Sequence, residues 1–291
     1  KSVGNVIAPK KVIDKYGAEI LRLWVAASDY QDDIRISDPI LKQLSDAYRR
    51  IRNTCRFMLG NLYDFTPAEH TVPVAQMPDM DRFMLHKLSV LIEKCTDAYE
   101  SYDFHVVYHT LYNYCTIDLS AVYLDIQKDL LYTSAPDATG RRSAQTVMHL
   151  TLNAINRIMA PILPFTAEEV WAFAPAETGR ADSVHLARFP EVEAELRNSA
   201  LAENWEQLLK VRTEVTRALE TARAAKLIGH SLDAVIVLAV SDELQALLKL
   251  YEPILRPFFI VSSVACVPIE TADETYADTG MADLKIRVAH A

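Results

Sequence analysis

Apolar residues recur at helical spacing through most of this sequence, and this periodicity constrains the fold more than any other feature. The clearest stretch follows Asp38 and Pro39, a favoured N-cap residue and a favoured first helical residue. Its apolar residues lie three or four positions apart: Leu41, Leu44, Tyr48, Ile51, Cys55 and Met58. This spacing predicts a long helix with one buried face.

The same periodicity predicts several further helices, separated by proline-rich or turn-rich connections. They span about residues 10–16, 18–27, 84–98, 104–131, 141–159, 166–174 and 201–226. Thr166 with Glu169 predicts a capping box for the short helix at 166–174, and Gly229 predicts the C-cap of the last helix. Long amphipathic helices in succession favour an up-and-down bundle, so the expected fold class is mainly α.

The pattern changes in the C-terminal part of the chain. The run A-V-I-V-L-A-V at 234–240 predicts a buried strand and 243–250 predicts a helix, after which 258–267 and 284–289 predict two more strands. A short extended piece is expected at 184–189. These elements indicate a small α/β module after the bundle. The predicted division is a connecting segment at 1–37, a helical bundle at 38–195, and a long helix with the α/β module at 196–291.

Composition excludes several classes of function. Glycine accounts for 7 of 291 residues, and neither G-x-G-x-x-G nor the P-loop pattern occurs, so a complete nucleotide-binding enzyme is not expected. The net charge of −9 argues against indiscriminate nucleic-acid binding but allows a local basic patch. The sequence shows no run long and apolar enough for a membrane span and no signal peptide. Lys1 stands where an initiator Met would, which suggests a piece of a longer chain.

Metal and hydrolase chemistry have little support in the sequence. The cysteines Cys55, Cys95, Cys115 and Cys266 form no C-x-x-C pair, which favours reduced thiols in a cytosolic protein. His105 and His109 lie four positions apart, but neither a third ligand nor H-E-x-x-H accompanies them, so no metal site is expected. No G-x-S-x-G motif is present for a hydrolytic serine.

The strongest local signal is a basic run in the helix after Asp38. Arg49, Arg52 and Arg56 share one helical face and Arg50 lies beside them; residues 39–60 hold five Lys/Arg and one Asp. A solvated face with scattered ion pairs explains this pattern, and so does a phosphate-binding face, because arginine forms bidentate bonds to phosphate.

A second basic cluster is expected near the break between two helices of the bundle. It consists of Lys128, Arg141 and Arg142. Tyrosines near this cluster could stack on unpaired bases or could belong to the core: Tyr114, Tyr123 and Tyr132. The residues alone leave both alternatives open.

Several segments resemble the isoleucyl-tRNA synthetase family of class I aminoacyl-tRNA synthetases. K-S-V-G-N-V-I-A-P at the N-terminus resembles the end of the K-M-S-K-S signature with its continuation. Y-G-A-E-I-L-R-L-W-V-A-A-S-D-Y from Tyr16, Y-R-R-I-R-N-T-C-R-F from Tyr48 and A-P-I-L-P-F-T-A-E-E-V-W from Ala160 are similar to the same family. The resemblance is close over about residues 1–235 and looser beyond.

The resemblance implies a fold and a function. The part after K-M-S-K-S in this family is a helical domain that binds the tRNA anticodon stem-loop, followed by a junction module. The parent enzyme, expected to be a cytoplasmic monomer, attaches isoleucine to tRNA(Ile) with ATP and Mg through an aminoacyl-adenylate. Lys1 and Ser2 would be the catalytic remnant of the signature, and Lys1 would bind the ATP phosphates. The implied tRNA contacts are Arg49, Arg50, Arg52, Arg56, Lys128, Arg141 and Arg142.

The resemblance also implies what this chain lacks. The nucleotide-binding sheet and the editing domain are absent, so the chain alone is not expected to be catalytic, and the family's zinc module would lie beyond its end. K-D-L-L-Y at Lys128 departs from the family's K-D-R-L-Y, which removes one cation at Leu130. A valyl- or leucyl-tRNA synthetase fragment and a non-catalytic helical scaffold that binds protein remain the alternatives.

Overall fold

A computed structural model describes residues 6–291 of the chain. Lys1 and Ser2 lie outside the described residues. The chain forms two compact units, one that closes at Asn198 and one that spans Ser199–Ala291. In the part of the chain that the structure describes, no helix combines the length and the apolar character that a membrane span requires.

The first unit is helical, as the periodicity predicts. Its α-helices are α1 Pro9–Tyr16, α2 Ala18–Ala27, α3 Asp38–Asn61, α4 Pro67–His70, α5 Asp79–Glu100, α6 Phe104–Asn113, α7 Leu124–Thr133, α8 Thr139–Met159 and α9 Pro164–Phe173. A π-helical segment, Tyr114–Tyr123, joins α6 to α7 without a break. Helix α5 packs against α6 and α8, and α3 packs against α8, α9 and the π-helical segment. The predicted helical bundle is confirmed.

Helix α3 buries the apolar stripe that predicted it. Leu41, Ile51, Cys55 and Met58 are each at most 2% exposed. The stripe member Tyr48 is half-buried and shares a hydrogen bond of 2.9 Å between its hydroxyl and that of Thr166. The polar residues of α3 therefore lie on its flanks, because its apolar face is used by the core.

Two helix starts differ from the predicted caps. Asp38 does not cap α3: its carboxylate accepts from Lys15 Nζ at 2.7 Å, and Ser37 is the N-cap residue. The predicted Thr166 capping box is wrong as well, since α9 begins at Pro164. The carboxylate of Glu19 on α2 accepts from the backbone N–H groups of Phe165 and Thr166, both at 2.9 Å. A carboxylate from a distant helix thus satisfies the N-terminal donors of α9.

The extended piece expected at 184–189 is also wrong, because Val184–Leu186 is a 3₁₀-helix. The Glu168 carboxylate accepts from the hydroxyl of Ser183 at 2.8 Å and from the backbone N–H of Val184 at 3.1 Å. These bonds hold the segment against α9 in a turn. A second 3₁₀-helix, Ala194–Leu196, packs on α5.

The second unit combines a long helix with a four-stranded sheet. Its elements are α10 Ser199–Ala224, β1 Ala234–Val240, α11 Asp242–Leu250, α12 Glu252–Phe259, β2 Ser263–Pro268, β3 Ala277–Asp278 and β4 Leu284–His290. The sheet order is β2-β1-β4-β3, with β1 parallel to β2 and antiparallel to β4. Trp205 of α10 packs edge-on against Phe258 of α12, with ring centroids 5.6 Å apart. The small α/β module is confirmed.

Two details of the second unit differ from the prediction. The strand expected at 258–267 begins only at Ser263, because α12 continues to Phe259 and buries Leu255, Phe258 and Phe259 on one face. Gly229 does not cap α10, which ends at Ala224. Lys226 takes the left-handed conformation there, with φ of 59°.

A buried carboxylate links four segments of the first unit. Asp81 on α5 is 0% exposed, and its Oδ1 accepts from Tyr123 Oη at 2.7 Å and from Gln127 Nε2 at 2.9 Å. Its Oδ2 accepts from the hydroxyl of Ser143 on α8. Burial raises the pKa of Asp81 from 3.8 to about 6, although all three hydrogen bonds oppose that shift.

Replacing Asp81 with Asn should remove a pH dependence of stability. The folded chain holds this proton more tightly than the unfolded chain, so the stabilisation is complete below about pH 4 and is lost as pH rises through about 6. The unfolding free energy of the wild type should therefore fall by about 2 kcal/mol relative to Asp81→Asn between pH 4 and 7. Asn keeps the geometry, because its oxygen can accept from Tyr123 and Gln127 and its N–H can donate to Ser143.

Urea unfolding across this pH range measures the difference. Asp79→Asn, which removes a carboxylate at the partly exposed ion pair with Arg82, is the control for loss of one charge. Parallel pH profiles of wild type and Asp81→Asn would contradict the buried, proton-linked state of Asp81.

Candidate nucleic-acid interface

Because the apolar stripe of α3 is buried in the core, the arginines of this helix lie towards solvent. Arg49, Arg50 and Arg56 are exposed and Arg52 is half-buried. Successive residues of a helix point about 100° apart, so these four side chains cannot share one surface. The structure places Arg50 in a groove on one flank of α3 and Arg52 with Arg56 in a groove on the other flank, whereas Arg49 lines neither groove.

The α3–α7 groove lies between α3 on one side and the π-helical segment with α7 on the other. Its lining residues are Arg50, Asn53, Thr54, Phe57, Thr116, Ser120, Leu124 and Lys128. It brings Arg50 of the first predicted cluster together with Lys128 of the second, although 77 residues separate them in the sequence. The groove therefore joins cations from two distant segments.

The chemistry of the α3–α7 groove suits a polyanion with hydrogen-bonding groups. Arg50 takes part in no ion pair with any residue that the structure describes, and Lys128 forms an exposed pair with Asp125 at 2.8 Å. Exposed pairs of this kind contribute little energy, so a phosphate can replace the carboxylate. Asn53 and Ser120 are exposed and offer an amide and a hydroxyl, groups that bind base edges.

The π-helical segment shapes this groove. The Ser120 hydroxyl donates to the Cys115 carbonyl at 2.7 Å and lies 3.0 Å from the Thr54 hydroxyl on α3. Inserted π turns occur frequently at functional sites. Sequence reasoning missed Asn53, Phe57 and Ser120. One signal could have found the π turn: the apolar stripe Val107, Leu111, Cys115 and Leu119 advances by four at each step, more than the 3.6 of an α-helix.

The α3–α9 groove lies on the opposite flank of α3. Its lining residues are Arg52, Arg56, Leu59, Gly60, Tyr63, Thr166, Glu169, Val170 and Phe173. Arg52 pairs with Glu169 at 3.1 Å, whereas Arg56 makes no ion pair within residues 6–291. Tyr63 and Phe173 are 80% and 74% exposed. Arg49 sits nearer the start of α3 and pairs with Asp46 at 2.6 Å.

Arg141 and Arg142 belong to neither groove. Arg141 is 5% exposed, and its Nη1 and Nη2 donate to the two carboxylate oxygens of Asp64 at 2.7 and 3.0 Å. Arg142 donates to the Asp64 carbonyl at 2.8 Å. Hydrogen bonds from Arg141 hold the pKa of the Asp64 carboxyl down, at about 2. Both arginines lie on α8 and donate to Asp64, so their hydrogen bonds connect α8 to the turn after α3.

Comparison with known proteins supplies the family. Residues 81–238 match the family described as "Anticodon-binding domain of tRNA ligase". The chain belongs to this family. Residues 1–37 match a second family, described as "tRNA synthetases class I (I, L, M and V)".

The relatives of this anticodon-binding domain are long synthetases. The isoleucine–tRNA ligase of Geobacter sulfurreducens is 52% identical over 291 residues, which is 100% of this chain and 31% of the relative. That of Geobacillus thermodenitrificans is 49% identical over 276 residues, 95% of this chain and 29% of the relative. The chain thus spans about a third of the length of the curated relatives it matches.

A solved structure shares the fold at low sequence identity. It is the ternary complex of a leucyl-tRNA synthetase, LeuRS, from Agrobacterium radiobacter K84 with tRNA and LeuAMS. The TM-score is 0.50 at 17% identity, over 88% of this chain and 28% of the other. This likeness supports the helical architecture described above.

The thiols and histidines of the anticodon-binding domain are arranged as core and surface groups. Cys55, Cys95 and Cys115 are buried, and burial raises the pKa of each thiol, to about 12 for Cys55 and Cys95. Burial, with a smaller contribution from His105, lowers the pKa of His109. Among residues 6–291, no three or more side chains of His, Cys, Asp or Glu form a group that could hold a metal ion.

Arg141→Ala should destabilise the domain by about 3 kcal/mol, because it leaves the Asp64 carboxylate partly buried without its bidentate partner. Arg49→Ala should change the unfolding free energy by less than about 0.5 kcal/mol, because the Asp46 pair is exposed. The Arg141 effect should shrink as pH falls from about 4 towards 2, since protonation of Asp64 removes the attraction in the wild type. Chemical unfolding of both variants measures this. Equal effects at neutral pH would contradict a structural role for Arg141.

Proposed function

We propose that this chain is the tRNA-binding part of an isoleucine–tRNA ligase that acts in the cytoplasm. In this proposal residues 1–37 connect to the catalytic domain, 38–195 bind the anticodon stem-loop, and 196–291 form the junction module. The parent attaches isoleucine to tRNA(Ile) with ATP, through an aminoacyl-adenylate. Identity of 49–52% over nearly the whole chain with isoleucine–tRNA ligases supports isoleucine as the amino acid.

The α3–α7 groove carries the proposed contact with tRNA. Arg50 on α3 and Lys128 on α7 both line it, together with the exposed Asn53 and Ser120. Two cations bind the phosphates on either side of an RNA strand, and the polar groups reach base edges. Arg52 and Arg56 on the other flank of α3 extend the positive surface. Arg141 and Arg142 line neither groove, and Asp64 and Gln145 accept hydrogen bonds from their guanidinium groups, so we assign the proposed contact to Arg50 and Lys128.

Lys1 and Ser2 have a proposed role in the parent enzyme. They correspond to the end of the K-M-S-K-S signature, and an ammonium and a hydroxyl are groups to which phosphate oxygens bind. Lys1 binds the ATP phosphates and stabilises the charge that develops on pyrophosphate as the adenylate forms. Magnesium accompanies the ATP, and no residue of this chain is assigned to it.

Removing the two cations of the α3–α7 groove should weaken RNA binding and flatten its salt dependence. Each phosphate contact contributes about 0.7–0.9 to the slope of log K against log salt concentration, so loss of both contacts in Arg50→Gln with Lys128→Gln should reduce the slope by about 1.4–1.8. Binding of a tRNA(Ile) transcript at several salt concentrations measures it. Lys42→Gln with Lys94→Gln, two exposed lysines outside both grooves, is the matched control. A slope equal to that of the control variant would refute this placement of the RNA.

Lys1→Ala in the full-length parent should slow isoleucine-dependent ATP–pyrophosphate exchange by about 100-fold or more, with little change in KM for ATP, because the ammonium acts on the transition state. Lys10→Ala, at an exposed position on α1, is the control. The isolated chain should give no exchange with any amino acid. Wild-type exchange by Lys1→Ala would exclude the role of Lys1, and exchange driven by valine or leucine would reassign the parent.

A further inference from the structure

Helix α2 contacts the corner between α8 and α9, and a charged side chain of α2 bonds to each side of that corner. Arg22 donates from Nε to the Ile162 carbonyl at 3.0 Å and from Nη2 to the Pro161 carbonyl at 2.6 Å. Both carbonyls lie in the turn that follows α8, where backbone acceptors lack helical partners. A guanidinium suits this place, because the C-terminal end of a helix carries a partial negative charge.

Glu19, one turn earlier on α2, bonds to the other side of the same corner. Its carboxylate accepts from the backbone N–H groups of Phe165 and Thr166 in the first turn of α9, both at 2.9 Å. The N-terminal end of a helix carries a partial positive charge, which a carboxylate complements. Glu19 and Arg22 therefore bond to four backbone groups of one corner, and each charge lies at the helix end of opposite polarity.

These hydrogen bonds fix α2 more sharply than its apolar packing does. Ile20 and Leu23 of α2 are each 2% exposed and belong to the core. Burial of apolar surface is not directional, so a helix held by it alone keeps some freedom to rotate and slide. Hydrogen bonds weaken steeply when their distance or angle changes. Glu19 and Arg22 therefore set the position of α2 relative to α8 and α9.

The contact continues from α2 to α3. The hydroxyl of Thr166 donates to the Glu19 carboxylate, so it accepts from the Tyr48 hydroxyl at 2.9 Å. Tyr48 and Arg52 lie one turn apart on α3, and Arg52 lines the α3–α9 groove. The corner thus joins α2 to the helix that carries the arginines of both grooves.

The two sides of this contact match different families. Helix α2 lies within residues 1–37, which match the class I synthetases, and α8 and α9 lie within residues 81–238, which match the anticodon-binding domain. Formation of the adenylate uses isoleucine and ATP alone. The transfer step also needs the tRNA, which must reach the adenylate while the bundle holds its anticodon stem-loop. The transfer therefore depends on how the bundle is oriented relative to residues 1–37, whereas formation of the adenylate does not.

We propose that Glu19 and Arg22 are positioning residues for the transfer of isoleucine to tRNA. The inference rests on the proposed function. In the transfer, a terminal ribose hydroxyl of the tRNA attacks the carbonyl carbon of the adenylate, so an ester bond forms and the bond from that carbon to the phosphate oxygen breaks. AMP leaves with the electron pair of the broken bond, and the hydroxyl proton passes to solvent. Glu19 and Arg22 act by orienting the bundle, and a misplacement of about 1 Å can slow such a step by about 100-fold.

The test uses the full-length parent with Glu19→Gln and Arg22→Gln made together, which removes both charges from the corner. Glu93→Gln with Arg197→Gln is the matched control, because it removes a Glu–Arg pair of 2.6 Å that does not involve α2. Arg22→Lys keeps a cation that can still donate to either carbonyl. Arg22→Gln alone, at an exposed position, provides the test if the double variant does not fold. Thermal unfolding shows which variants are folded.

Single-turnover transfer from preformed adenylate to saturating tRNA(Ile) should be about tenfold or more slower in the double variant, and slower by a smaller factor in Arg22→Gln. Isoleucine-dependent ATP–pyrophosphate exchange should stay within about twofold of wild type, and the Kd for tRNA within about threefold, because neither adenylate formation nor the RNA grooves use these side chains. Arg22→Lys and the control pair should transfer at close to the wild-type rate.

Three results would overturn the positioning role and leave the proposed function intact. They are wild-type transfer rates in the double variant and in Arg22→Gln, an equal loss of exchange and transfer, which indicates general damage to the fold, and full recovery of transfer at higher tRNA concentration, which indicates a role in binding. A wild-type parent without isoleucine-dependent exchange would instead overturn the proposed function.

Discussion

The bundle depends on α3 being buried along one side only. Its apolar stripe packs against α8, α9 and the π-helical segment, with Ile51, Cys55 and Met58 almost free of solvent. Burial of this stripe is the largest favourable contribution that α3 can make, and it fixes the rotation of the helix. Every polar residue between the stripe positions is then forced onto one flank or the other. The two grooves follow from this constraint, because each flank meets a different neighbour, α7 or α9.

The same orientation of α3 about its axis also decides where its positive charges lie. The chain carries a net charge of −9, yet the outward faces of α3 are basic. Carboxylates neutralise part of this charge: Asp46 pairs with Arg49, Glu169 with Arg52 and Asp125 with Lys128. All three pairs are exposed, so each contributes about 1 kcal/mol or less and yields readily to a phosphate. Arg141 differs, because its pair with Asp64 is shielded from water. Exposure therefore separates the arginines whose charge faces solvent from Arg141, which stabilises the fold.

Sequence periodicity sufficed to predict the fold class, because the spacing of apolar residues within each helix is a local property. It predicted α3, α5, α8 and α10 and the strands β1 and β4. It failed where a distant residue decides the outcome. The Glu19 carboxylate accepts from a backbone N–H at the start of α9, 146 positions away in the sequence. The Asp64 carboxylate pairs with the guanidinium of Arg141, 77 positions away in the sequence. The sequence placed Arg141 in a basic cluster with Lys128, but no local pattern could reveal its partner. The prediction of a strand at 258–267 was wrong for another reason, because the first residues of that range belong to α12. A short run of hydrophobic residues looks the same whether it forms the buried face of a helix or a strand.

Photocrosslinking can locate the RNA that we propose lies along the α3–α7 groove. A tRNA(Ile) transcript with 4-thiouridine in the anticodon loop is irradiated with the chain, and the crosslinked peptides are mapped by mass spectrometry. We expect crosslinks within residues 50–63 and 116–132. Crosslinks confined to the opposite surface, on α5 and α6 around Lys94 and His109, would contradict it.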